Sequence, residues 1–166
     1  MGYVDQNLIT GEKVMYRGHL HWIVIARSLF IFIFIGLPGL ALVVYGYSNK
    51  DSVPAAVAGL GLFVFGTFPV IKSVLNRRAA EFAVTNKRVI LKKGMVNRKT
   101  VEMFLQKVES IDVDQNFAGR MFGYGTITLR GTGGTFEPFA GVSHPLEFRR
   151  QVQEQIGRQL EPARNT

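Results

Sequence analysis

The chain has 166 residues, 47% of them hydrophobic, and a formal net charge of +8. It contains no cysteine, which excludes disulfides, thiol nucleophiles and any Cys-containing zinc or iron–sulfur site. With two long apolar runs set aside, the remaining length suffices for one small domain.

Residues 1–22 form a polar N-terminal segment in which Asp5 and Glu12 balance Lys13 and Arg17. No small-residue cleavage site follows the first apolar run, so that run reads as a permanent anchor rather than a signal peptide. Residues 14–17 (VMYR) have the pattern of a short strand that could join a later domain. Whether they complete that domain is open at this level. His19 and His21 alternate here; a metal pair would need a third ligand, and none is evident, so they read as interfacial histidines.

Residues 28–49 and 52–71 carry no charged side chain, and only Lys50 and Asp51 lie between them as charges. Each run is about the 20 residues that cross a ~30 Å hydrocarbon core as a helix. The pair predicts a transmembrane helical hairpin over residues 23–76. Two buried helices of a soluble core are the alternative, but the rest of the chain is too small to cover them. Lys13, Arg17, Arg27, Lys72, Arg77 and Arg78 lie on the open side of the hairpin, against Lys50 at its turn. By the positive-inside rule both termini face the cytoplasm. Trp22, Tyr45 and Tyr47 suit the two interfaces. Gly36, Pro38 and Gly39 predict a kink in the first span. Ala55 and Gly59 form a small-xxx-small pair, with Gly61 and Gly66 further along, and predict close helix contact.

From residue 77 to 160 the pattern changes to short strands followed by a helix. Residues 81–85 place Phe82 and Val84 on one face. Residues 88–92 follow after an Asn86-Lys87 turn. Val101, Met103 and Leu105 share a face by the two-residue period, as do Ile111 and Val113, and then Ile127 and Leu129. Residues 116–123 do not alternate and predict a helical turn. Glycines 131, 133 and 134 predict a reversal, and residues 135–139 a last strand broken at Pro138. A helix starts around His144-Pro145, where Phe148, Val152, Ile156 and Leu160 give one apolar stripe. Residues 161–166 read as a tail. The fold class expected is α+β: a transmembrane hairpin and an antiparallel barrel or sandwich capped by a C-terminal helix.

The run from Phe82 to Gly94 (FAVTNKRVILKKG), then Val108 to Val113 (VESIDV), then Phe117 to Ile127 (FAGRMFGYGTI) resembles the bacterial pleckstrin-homology-like membrane proteins. The glycine pair at 133–134 and the helix at Phe148-Arg149-Arg150 also fit. The departure is His144-Pro145, where an acidic cap would be more typical. The resemblance implies a PH-like barrel on a membrane anchor in the bacterial inner membrane. It implies lipid or protein binding and self-association and does not imply an enzyme; a homo-oligomeric structural assembly, or an accessory subunit of a transport or envelope-maintenance complex, is the alternative.

Beyond Asn76, fifteen basic side chains face nine acidic ones, a net +6. A tethered basic domain points first to anionic lipid headgroups, at about 1 kcal/mol per Lys or Arg. The tether argues against nucleic acid. The candidate lipid or partner site is Lys87, Arg88, Lys92, Lys93, Arg98 and Lys99. Met95 and Val96 at the tip of that hairpin could dip into the interface. Phe122 and Tyr124 are candidates for an interface between protein copies or with a membrane-protein partner. The glycines lack the spacing of a phosphate loop. Asp112 and Asp114 share a strand face and suit surface pairing better than acid–base work. No catalytic residue, metal ligand or cofactor site is expected.

Overall fold

A computed structural model describes residues 2–49, 52–95, 98–135 and 138–160. The turn charges Lys50 and Asp51, the tip residues Val96 and Asn97, Phe136 and Glu137, and the tail 161–166 lie outside the described residues. The chain divides into two compact units. One is helical, Trp22–Arg77; the other joins the N-terminal stretch up to His21 with everything from Arg78 onward. The N-terminal segment is thus part of the β domain rather than a separate region.

α1 (Tyr3–Gln6) and β1 (Val14–Gly18) come first. The helical unit follows: α2 (Ile23–Ile31), a π-helical turn (Phe32–Gly36), α3 (Leu37–Ser48) and α4 (Val53–Ala79). The first three run on as one 26-residue helix, and α4 has 27 residues. Both are long and apolar enough to cross a membrane. The helices are longer than the charge-free runs, because Arg27 at one end and Lys72, Arg77 and Arg78 at the other are helical too.

The irregularity expected near Pro38 takes the form of the π turn. Pro38 has no N–H, and its ring crowds the carbonyl four residues earlier. The widened turn lies just ahead of it, and the Leu37 N–H donates to the Phe32 carbonyl, five residues back. Pro69 is accommodated within α4. The two long helices touch through glycine. A Cβ on Gly39 would lie 2.8 Å from the Gly59 carbonyl, and one on Gly66 would lie 2.6 Å from the Gly36 amide. Gly46 meets Ala56, not the expected Ala55, and Gly61 faces open space. The contact follows pairs seven residues apart, Gly39 with Gly46 and Gly59 with Gly66, which keeps one seam along both helices.

The rest of the domain is β2 (Glu81–Thr85), β3 (Arg88–Lys93), β4 (Lys99–Phe104), β5 (Val108–Asp114), α5 (Phe117–Phe122), β6 (Tyr124–Gly131), β7 (Gly134–Thr135), β8 (Phe139–Ser143) and α6 (Pro145–Leu160). One antiparallel sheet has the order β1-β2-β3-β4. The other pairs β6 with β5 on one side and with β7 and β8 on the other. β7 and β8 lie on either side of Pro138, where a break was expected, but β8 runs on to Ser143, beyond the strand expected over residues 135–139. Residues 14–17 do complete the domain: β1 is an edge strand on β2, with Gly18 opposite Phe82.

The sheets do not close into a barrel. Among the described residues β4 and β5 are joined by a 3-10 turn, Leu105–Lys107, without pairing, and the segment after β1 meets the second sheet at the bridge between Leu20 and Val142. The inner faces meet at Phe82 and Phe139, with ring centroids 6.1 Å apart and nearly perpendicular. α6 covers the core with Phe148 and Val152, both fully buried, and Phe148 also packs edge-on against Tyr16 at 6.1 Å. The expected stripe does not extend to Leu160, which is 75% exposed. A four-residue spacing advances 400° against a 360° turn, so by the fourth member the side chain has left the face. Gln155, buried, and Gln159, bonded to the Asn86 carbonyl, continue the face instead.

β2 and β3 do not alternate between buried and exposed positions. Phe82, Val84, Val89 and Leu91 fill the inner face, yet Ala83 and Ile90 on the outer face are buried as well. Their cover is the N-terminal stretch: Val4 packs on Ala83 and Ile90, with Tyr3, Leu8 and Val14 around them.

Candidate membrane-facing surface

The positions of the cations follow from strand direction. β1 and β2 are antiparallel neighbours, yet the whole helical unit lies between them in sequence. The chain leaves the β domain at His21, just past the end of β1, and returns at Ala80, just before β2. Both connections therefore belong to one end of the first sheet.

That end also carries the β3–β4 turn. Glu81, the first residue of β2, pairs with Lys92, and Lys93 pairs with Lys99. Arg98 and Met95 are exposed in the same turn, Met95 by 48%. The β2–β3 turn, with Lys87, is at the opposite end, where the Lys87 ammonium donates to the Thr10 carbonyl at 2.8 Å.

The six candidate cations are thus not one patch. Lys93, Arg98 and Lys99 share the turn at the connection end. Lys87 is at the other end. Arg88 and Lys92 are 8% exposed each and are internal counter-ions. The Arg88 guanidinium donates to Glu12 from Nε at 2.9 Å and to Glu102 from Nη1 at 2.6 Å, and also meets the Asn7 carbonyl. Glu12 further accepts from the Thr85 hydroxyl at 2.7 Å and the Ile9 amide at 2.7 Å. Lys92 donates to Glu81 at 3.2 Å and lies over the Tyr3 ring, 4.7 Å from its centroid. Glu81 also accepts from the amides of Tyr3 and Val4 at 2.9 and 3.1 Å.

Burial opposes ionisation of Glu12 and Glu81. The donors outweigh it and hold both carboxyls below the usual 4.5, through the Ile9 amide, Thr85 and Arg88 for Glu12, and the Tyr3 and Val4 amides and Lys92 for Glu81. A cation enclosed in this way has no charge left for a headgroup. In the sequence Arg88 and Lys92 count with the other cations as surface charge; the structure encloses both, 8% exposed each, because the N-terminal stretch covers the outer face of β3. Sequence reasoning missed Glu12, Glu81 and Glu102 as their partners. The Glu81–Lys92 pairing was findable, since an Asn-Lys turn at 86–87 fixes the β2–β3 register; Glu12 is 76 positions from Arg88 and left no local signal.

Of the predicted interface residues, Phe122 is 49% exposed at the end of α5. Tyr124 is half-buried, its ring stacked on His21 with centroids 5.5 Å apart. α5 is built between an Asn116 cap, whose Oδ1 accepts from the Gly119 amide at 2.7 Å, and Gly123, which turns the chain with φ 75°. At the unusual helix start, His144 has φ 47°, its amide donates to the Gly123 carbonyl at 2.8 Å, and its Nδ1 meets the Ser143 hydroxyl at 2.9 Å. Asp112 pairs with Arg130 across β5 and β6 at 2.8 Å, both exposed. No cluster of three or more His, Asp and Glu side chains able to hold a metal occurs among the described residues.

Two antiparallel sheets with a closing C-terminal helix fit a PH-like domain, here with two long apolar helices spliced between its first two strands. A family model described as a bacterial PH domain matches residues 24–156, and the chain belongs to that family. The match begins inside α2, so β1 and the N-terminal cover precede it. No curated protein and no solved structure matches the chain.

Proposed function

We propose that this is a non-enzymatic, membrane-anchored PH-like binding module at the cytoplasmic face of a bacterial inner membrane. The hairpin anchors it, and the β3–β4 turn contacts anionic lipid headgroups through Lys93, Arg98 and Lys99. The observation that carries this reading is the pairing of β1 with β2 across the helical insertion. Two paired strands lie on one side of a bilayer, so helices joining them must cross an even number of times. The same pairing assigns the basic turn to the end where the chain departs for the helices. The Lys and Arg bias at the open side of the hairpin supports the cytoplasm as that side. Three cations near such a surface contribute about 1 kcal/mol each at low salt.

The test uses the full chain in vesicles containing trace spin-labelled phosphatidylglycerol or phosphatidylcholine. The anionic lipid is expected to be enriched beside the protein, and salt or Lys93/Arg98/Lys99→Ala is expected to abolish the preference. Lys87→Ala is expected to leave it intact. Equal enrichment of both lipids by the unaltered chain overturns the reading.

A further inference from the structure

The basic turn does not account for a group of exposed apolar side chains on α5, which includes Phe117, the most exposed large apolar side chain of the β domain among the described residues. Phe117 is 82% exposed, Met121 65% and Phe122 49%. Phe117 and Met121 are four apart on α5, on one face of the helix. Between them Arg120 is exposed too. The other side of α5 is seated firmly. A Cβ on Gly119 would lie 2.6 Å from the Tyr124 carbonyl, and Gln115 Nε2 donates to that same carbonyl at 2.9 Å. With a side-chain cap at its start and a left-handed glycine at its end, α5 is a fixed platform that holds a small apolar face outward. Large apolar groups displayed together on a rigid support mark a surface that meets something apolar.

The position of α5 selects the occupant. Tyr124 follows the helix by two residues and stacks on His21. The His21 amide donates to the Gly141 carbonyl at 2.8 Å, and the Ser143 amide donates to the His19 carbonyl at 2.9 Å, which fastens residues 19–21 along β8. Ile23, two residues beyond His21, begins the first long apolar helix. The anchor of α5 within the β domain is therefore the residue at which the chain departs. A face of Phe117 and Met121, with Phe122 at the helix end and Arg120 along its edge, has the chemistry of an interfacial lipid contact: rings and thioether among the upper acyl segments, guanidinium snorkelling to phosphate. We infer that Phe117, Met121 and Phe122 insert into the headgroup–acyl boundary of the bilayer, a second lipid contact that is apolar where the β3–β4 turn is electrostatic. This rests on the membrane-anchored reading above.

The chain has no cysteine, so single reporters are introduced without background. Phe117→Cys, Met121→Cys, Lys87→Cys and Val57→Cys variants of the full chain, each spin-labelled in phosphatidylcholine/phosphatidylglycerol vesicles, are compared by accessibility to oxygen and to a nickel chelate. Val57 lies in α4, and Lys87 is at the far end of the first sheet. Labels at 117 and 121 are expected to favour oxygen over nickel, as at 57 and opposite to 87. High nickel accessibility at 117 and 121, with 57 still favouring oxygen, overturns the inserted face and leaves the anchor standing. Nickel accessibility at 57 as well overturns both. Immobile labels at 117 and 121 shielded from both reagents overturn it too, and assign the face to a second protein copy. A Phe117→Ser/Met121→Ser chain keeps the same melting temperature if the face serves only the membrane; a melt lowered by several degrees makes these residues part of the fold and also overturns the inference.

Discussion

Lys92 and Lys93 are neighbours on one strand and do opposite things. Lys92 points at Glu81 and the Tyr3 ring, is enclosed, and helps hold the N-terminal stretch on the sheet. Lys93 stands with Arg98 and Lys99 in a turn at the edge of the domain. The same split separates Arg88, surrounded by Glu12, Glu102 and the Asn7 carbonyl, from Arg98 in the turn. The pleat of a strand alternates faces, so consecutive cations belong to different environments. A count of positive charge therefore overstates a binding surface wherever carboxylates from elsewhere in the chain have already met part of it, as they have met Arg88 and Lys92.

The largest expected effect comes from the enclosed cations. Arg88→Ala leaves the fully buried Glu12 carboxylate without its counter-ion and should cost about 3–5 kcal/mol; Arg98→Ala should stay within about 0.5 kcal/mol. Thermal unfolding of the full chain in detergent checks this, and equal melting temperatures for the two would erase the distinction. A smaller contrast separates the neighbours. Lys92→Met should cost about 1–3 kcal/mol, since Glu81 keeps its two amide donors, while Lys93→Met should be near neutral by the same melt.

Acid sharpens the contrast in another way. Glu12 and Glu81 have folded-state values below the ordinary 4.5. Their contribution to stability is complete above that ordinary value and is lost as the pH falls through the depressed folded values. The melt is expected to hold steady down to the ordinary range and then drop, with amide exchange rising first in residues 2–13. Uniform exchange across both sheets would contradict it. The smallest effect belongs to the turn: Lys99→Ala should leave the melt unchanged and weaken the anionic-lipid preference about fivefold, the equivalent of about 1 kcal/mol.

Much of the fold was legible because it is periodic. The apolar runs, the two-residue alternation in residues 101–105 and 126–130, and the glycine turns each carry a local signal. An irregularity near Pro38 and the helical turn at 116–123 were legible for the same reason, since proline and a non-alternating stretch constrain the backbone where they occur, although the irregularity is a π turn where a kink was expected. What could not be read was long-range. The closeness of residues 2–13 to β3 depends on contacts some 76 positions apart in sequence, and it reverses the environment of Arg88 and Lys92. Of the six proposed site residues, the three in the β3–β4 turn share one surface because a turn is local; the others were separated by register and by a cover that no spacing announced. Leu160 shows the same limit in miniature, as a four-residue repeat that matches a helix for two turns and then drifts off its face.

The splice of the helices between β1 and β2 also bears on how the chain assembles. Gly18 and Phe82 face each other across the sheet although 64 positions separate them, 82 less 18. Closing a flexible loop of that length would cost about 4 kcal/mol of chain entropy. Helices that double back on themselves and touch at Gly39 and Gly59 bring the two ends of the insertion back toward each other, so part of the longest closure in the first sheet is made by helix packing rather than by the strands.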